Sequence, residues 1–179
     1  FIGDVIDNHY SSYHETDADG MGGGQELELA IQRLQRYYHR WPDAHVTVGN
    51  HDRIIMRKAQ SGGVPKEWVK DYKEVLRTPN WKFVTDVEID DVLYIHGEAG
   101  TAKTKARSDM RSTVQGHLHT QAYTEYFVGA NSRVFGCQVG CGIDAKSYAM
   151  AYMKVGKKPA IGCAVVLGGK TAVNELMVL

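Results

Sequence analysis

Four short polar motifs bracketed by glycine stand in order along this chain: Gly3-Asp4-Val5-Ile6-Asp7, Gly49-Asn50-His51-Asp52, Ile95-His96-Gly97 and Gly116-His117-Leu118-His119. Each follows a short apolar run that reads as a strand. Asp, Asn and His side chains are thereby expected at strand ends, where open α/β sheets gather ligand-binding groups. Asp4, Asn50, His96, His117 and His119 all fall at such ends. The pattern asks for a layered α/β fold in which distant segments build one polar site.

The rest of the chain fits that demand. Residues 1–2 read as the end of a buried strand. Residues 8–24 are polar and glycine-rich and form a long loop. In residues 25–41 the apolar positions Leu27, Ala30, Ile31, Leu34, Tyr38 and Trp41 recur at helical spacing, and Pro42 ends that helix. Residues 45–48 form the next strand, which favours parallel pairing across the helix. A helix is expected over 51–59, and a second begins at Pro65, carrying Trp68, Val69, Tyr72, Val75 and Leu76 inward. Short strands follow at 81–84, 87–89 and 92–95, with a turn at Asp90-Asp91. A basic helix spans 101–111, a strand 113–115, and the remainder is β at 122–128, 133–139, 160–167 and 172–178. The expected architecture is one α/β domain over 1–179, with two mixed β-sheets packed face to face and helices outside.

Composition narrows the functional classes. Lys plus Arg equals Asp plus Glu at 21 each, so no global field draws the 179 residues to nucleic acid or to a membrane. No run reaches the ~20 apolar residues of a membrane span. Cys137, Cys141 and Cys163 lack paired spacing, which argues against a disulfide framework or structural zinc and predicts buried free thiols in a cytoplasmic protein. Carboxylate, amide oxygen and imidazole form a mixed oxygen and nitrogen set, suited to manganese, iron, zinc or nickel rather than calcium.

GDxxD, GNHD, His before Gly and GHxH, in that order, resemble the calcineurin-like metallophosphoesterase family. Val139-Gly140-Cys141-Gly142-Ile143-Asp144 with Ser147-Tyr148-Ala149 is similar to its phage-encoded branch. The resemblance implies an αββα sandwich and two divalent metals, manganese first among them. It implies hydrolysis of phosphate mono- or diesters by a metal-activated hydroxide, with a tilt towards nucleotide or nucleic-acid substrates. Asp4 would bridge the metals; Asn50, His96 and His117 would hold the second, and His119 the first. His51 would face the substrate and protonate the leaving oxygen, while Asp52 and Asp7 would orient His51 and the ligands. The family's Asp-x-His motif lies upstream of GDxxD, and only Phe1 and Ile2 precede it here. The reading therefore predicts that a strand and a helix precede Phe1, and that the first metal's set in this chain is incomplete. A non-catalytic metal-binding relative or fragment is the alternative.

Weaker features have ordinary readings beside functional ones. Asp7 suits a turn or cap as well as an orienting role. Arg53 stands beside His51 and within reach of a substrate phosphate. The cations Lys103, Lys105, Arg107 and Arg111 suit a polyanion or a solvated helix face. His9, Tyr10, Tyr13 and His14 offer stacking surface for a base or sugar. Gly169-Lys170-Thr171 reads as a hairpin turn, and Asp17-Ala18-Asp19-Gly20 lacks the ligand spacing of a calcium loop.

Overall fold

The apolar stripe of the first helix decides the first half of the molecule. In a computed structural model that describes residues 1–13, 19–143 and 158–178, α1 covers Gly23–Arg40. Its Ile31 and Leu34 are buried with Ile6, Val46, Leu76 and Trp81, and Leu27, Ala30 and Tyr38 pack around them. Each such buried side chain contributes about 2 kcal/mol of transfer free energy.

The chain forms two compact units: Phe1 with Gly3–Val84, and Ile2 with Thr85–Leu179. In the first, β1 (His45–Thr47) pairs in parallel with β2 (Lys82–Val84). Between them lie α2 (Ile54–Ser61), a 3-10 turn (Lys66–Trp68) and α3 (Tyr72–Val75). Residues 1–2 are not assigned to a strand, yet Phe1 makes both bonds of a parallel pair. Its amino group donates to the His45 carbonyl (2.7 Å), and its carbonyl accepts from the Thr47 amide (3.0 Å).

Two helical expectations are corrected. The helix expected from residue 51 starts at Ile54, because the Asp52 carboxylate bonds back to the Gly49 amide and holds 49–53 in a turn. The second helix, expected from Pro65, is broken: Val69 is extended, and Asp71 caps a new helix by accepting from the Lys73 amide. Trp68 consequently faces solvent at 82% exposure, whereas Leu76 is buried. In the 8–24 loop, His9–Ser11 form a 3-10 turn and His9 is buried.

In the second unit a five-stranded mixed sheet runs β3-β4-β5-β7-β6. Its strands are β3 (Asp86–Ile89), β4 (Val92–Ile95), β5 (Thr113–Gln115), β6 (Ala122–Val128) and β7 (Arg133–Val139). Asp90 and Asp91 take positive φ (53° and 60°), as a tight β3–β4 turn requires. One face of the sheet (Val92, Val114, Phe135, Cys137) packs on Ala164, Val166 and Ala172 of the hairpin β8 (Gly162–Leu167) and β9 (Thr171–Leu176). Gly169-Lys170 lies in that hairpin's turn. The other face carries α4 (Ala102–Asp109), whose Ala102 and Ala106 are buried.

All three cysteines are free, but the expectation that all are buried fails: Cys141 is half-buried and Cys163 exposed, on the solvent side of β8. Among the described residues no helix is long and apolar enough to cross a membrane.

Candidate functional site

The first unit builds its share of the predicted site around one carboxylate. Asp52 is 1% exposed. It accepts hydrogen bonds from the backbone amides of Gly49 (2.8 Å), Asp4 (2.9 Å) and Ile6 (3.2 Å). One buried side chain thus fastens the Gly3–Ile6 turn to the turn after β1. Burial raises its pKa to about 6; the three amide donors oppose that rise, and the neighbouring Asp4 charge adds to it. Gly49 is glycine for a steric reason, since a Cβ there would overlap the Asp4 carboxylate.

Asp4 is held from the same turn. Its Oδ1 accepts from the His51 amide (2.9 Å), and its backbone takes a positive φ of 49°. The His51 ring is fixed by Asp7: Nδ1 lies 2.7 Å from the Asp7 carboxylate and 2.9 Å from the Asp7 carbonyl. Both partners are acceptors, so Nδ1 carries the proton. The Asp7 bond raises the His51 pKa to about 9, against burial and with help from the Asp4 charge. His51 is therefore an imidazolium at neutral pH in the metal-free protein. Asn8 ties the same segment by donating to the His51 carbonyl (3.0 Å). Of the two roles open to Asp7 from sequence, orienting His51 is the one the geometry supports. Arg53 Nε donates to the Gly49 carbonyl (3.2 Å), which anchors its side chain to the turn.

The second unit positions its histidines by strand register. β4, β5 and β7 are parallel neighbours, with Ile95 opposite Gln115 and Gln115 opposite Gln138. His96 and Gly116-His117 therefore leave the sheet at the same end. His96 is buried, and its Nδ1 lies 2.8 Å from the Ile2 carbonyl. A carbonyl only accepts, so Nδ1 bears the hydrogen and Nε2 presents its lone pair. That lone pair points to His117 Nδ1, 3.2 Å away, with the rings 77° apart. Two imidazole nitrogens at this distance share one proton or one cation. A carbonyl holding the far nitrogen is the usual support of a metal-binding histidine.

Two residues apart, His117 and His119 would share one face of an extended segment, but the chain is not extended here. His117 has φ 68°, and the Leu118 amide bonds to the Gly116 carbonyl (2.8 Å), making a tight turn. His119 is fixed instead through its carbonyl, which accepts from the Ala160 amide (2.7 Å). Asp144 and Ser147-Tyr148-Ala149, like His14 and Asp17-Ala18, lie outside the described residues.

Two supporting side chains escaped the sequence reading. Gln138, fully buried, donates to the Gly116 carbonyl and accepts from the Ala102 amide (3.0 Å), locking the His117 turn to the start of α4. Gln115 donates to the Gly100 carbonyl (3.2 Å). Gln138 left a signal as the lone amide in the apolar run 134–139, whereas Gln115 left none in Thr113-Val114-Gln115. The expectation that the chain holds no Asp-x-His order is corrected by the sequence itself, which has it at Asp7-Asn8-His9 and Asp43-Ala44-His45. Asp7 is engaged with His51, and His45 sits within β1. Comparison with protein-family models, with curated proteins and with solved structures found no match to this chain.

Proposed function

We propose that the chain is a metal-dependent phosphoesterase of the calcineurin-like kind, on an αββα sandwich. It would act on phosphate mono- or diesters, including those of nucleotides or nucleic acids. The observation that carries this reading is the Asp7–His51 pair. It fixes the His51 ring through Nδ1, with Nε2 left for the substrate, on the turn that also presents Asn50, in the order the resemblance requires. The ligand set is the one read from motif order: Asp4, Asn50, His96, His117 and His119. Support for it comes from each unit separately, in the fixed Asp4 carboxylate and in the carbonyl-oriented His96 beside His117. The donor chemistry fits manganese, with iron, zinc or nickel as alternatives.

Bound divalent cations would supply an acidified water and would neutralise charge on the phosphoryl oxygens. The protein's own groups do the rest. His51 holds a proton for the departing oxygen, and Asp7 fixes the tautomer that leaves Nε2 for the substrate. Asp52 keeps both turns in register without touching substrate. Arg53, anchored to Gly49, offers a cation for a phosphate oxygen.

Manganese-dependent hydrolysis of p-nitrophenyl phosphate and bis-p-nitrophenyl phosphate tests the reading, with manganese binding followed by calorimetry on the same samples. The expected result is turnover that requires manganese and disappears, with manganese binding, in both Asn50→Ala and His117→Ala. Manganese binding without turnover of either ester would move the non-catalytic reading ahead.

A further inference from the structure

Among the described residues, α4 covers only part of the sheet face beneath it. Gly136 of β7 lies under the helix, and a Cβ there would come within 2.5 Å of the Lys103 Cα, so glycine allows the close approach. Antiparallel register sets Glu125 opposite Gly136 and Phe127 opposite Val134, which places both β6 side chains on the face that α4 occupies. Because β6 is the edge strand, a groove of about 490 Å3 remains between it and the helix. Lys103, Thr104, Arg107, Ser108, Glu125 and Phe127 line it. That volume falls among sites for small ligands, roughly 300–1,000 Å3.

The structure sorts the four cations that the sequence placed here. Lys105 pairs with Asp109 (2.7 Å), and Arg111 pairs with Glu88 of β3; neither lines the groove. Lys103 lies 3.7 Å from Glu125 and 5.7 Å from the Tyr123 ring centre, held by a long ion pair and an aromatic face. Arg107 has no acidic partner among the described residues. Lys103 and Arg107 are one turn apart, as are Thr104 and Ser108, so cations and hydroxyls run side by side along the helix.

We infer that the α4–β6 groove binds a nucleoside monophosphate, with Arg107, Lys103 and the two hydroxyls on the phosphate and Phe127 against the base. Guanidinium, ammonium and hydroxyl donors together match the oxygens of a phosphate. An aromatic wall in the same groove has no use for a bare anion, but it offers a base a stacking surface. With two cations against one carboxylate, the lining keeps a net positive charge. The assignment is independent of any metal chemistry.

AMP titrated into the full chain in EDTA, followed by calorimetry and amide chemical shifts, is the test. AMP should shift amides 103–108 and 125–127. Arg107→Gln should weaken AMP about tenfold, the worth of one charge-assisted hydrogen bond. Its melting temperature should stay unchanged, because the side chain is exposed. Phe127→Leu should weaken AMP about fivefold, and Lys105→Gln should change nothing. Adenosine and inorganic phosphate should each bind more weakly than AMP. Inorganic phosphate binding as tightly as AMP, or AMP affinity unmoved by both Arg107→Gln and Phe127→Leu, would overturn the assignment. A dinucleoside monophosphate, whose only phosphate is a diester, distinguishes the two sources of nucleotide. If it bound more tightly than AMP, a strand rather than a free nucleotide would be the ligand.

Discussion

The two groups of predicted site residues are held by different chemistry. In the first unit the anchor is ionic: the Asp52 carboxylate gathers three backbone amides, and the Asp7 carboxylate holds a charged His51. In the second it is neutral: the Gln138 amide bridges Gly116 to Ala102, and a backbone carbonyl orients His96. The difference follows from what each turn exposes. The turn after β1 ends in unpaired N–H groups, which a buried carboxylate satisfies at the cost of its own desolvation. The turn after β5 leaves a carbonyl, which calls for a donor that an amide supplies without charge. Ionic anchoring couples the first turn's anchor to pH, whereas the Gln138 amide that anchors the second has no group that titrates.

The largest test of the contrast is catalytic. His51→Ala should keep manganese and slow phosphoester hydrolysis by about 10²–10⁴-fold, the usual worth of a proton donor. Lost manganese binding in that variant would transfer His51 from the substrate side to the ligand set. Asp52→Ala comes next, as the variant that removes the ionic anchor. It leaves three amides without an acceptor and should cost about 4 kcal/mol in urea unfolding. A loss below about 1 kcal/mol would mean that the clamp contributes little to holding the two turns.

Gln138→Leu removes the neutral anchor at similar volume. It strands one carbonyl and one amide and should cost about 2 kcal/mol, with the same loss at pH 5.5 and pH 8.5. A pH-dependent loss would contradict the assignment of neutral anchoring to the second unit.

What could be read in the sequence follows the same division. Motif spacing foretold that Asp4, His51 and Asp52 stand beside strand ends, because charged residues in glycine-bracketed motifs have few other uses there. The turn over 49–53, in place of the helix expected from residue 51, depends on the Asp52 carboxylate bonding back to the Gly49 amide. The periodic stripe of residues 25–41 likewise foretold α1, since an apolar helical face must be buried. The break at Val69 was hidden, because apolar spacing continues through it while Asp71 caps a fresh helix. Gln115 and Gln138 escaped notice because their value depends on parallel register, which pairs residues 23 apart in the chain. For the same reason the basic cluster could not be divided: helical spacing gave the charges, but only β6 and β3 decide which of them meet Glu125 or Glu88.

The smallest effect isolates the ionic half through pH. His51 has a folded pKa of about 9 against an ordinary 6.5, chiefly because the Asp7 carboxylate accepts its Nδ1 proton. A folded pKa above the unfolded one means that the native state binds the proton more tightly. The stabilisation is thus complete below pH 6.5 and is lost as pH rises through about 9. Asp52 also titrates upward, from 3.8 to about 6 through burial, so its stabilisation is lost in a lower window, between those two values. The windows do not overlap, so one substitution separates them. Asp7→Asn in EDTA should flatten the fall in unfolding free energy between pH 6.5 and 9 and leave the fall between pH 4 and 6 in place. The His51 ring resonances should then titrate near 6.5. A slope above pH 6.5 that persists in Asp7→Asn would assign it to another group and remove the charge from the first unit's anchor.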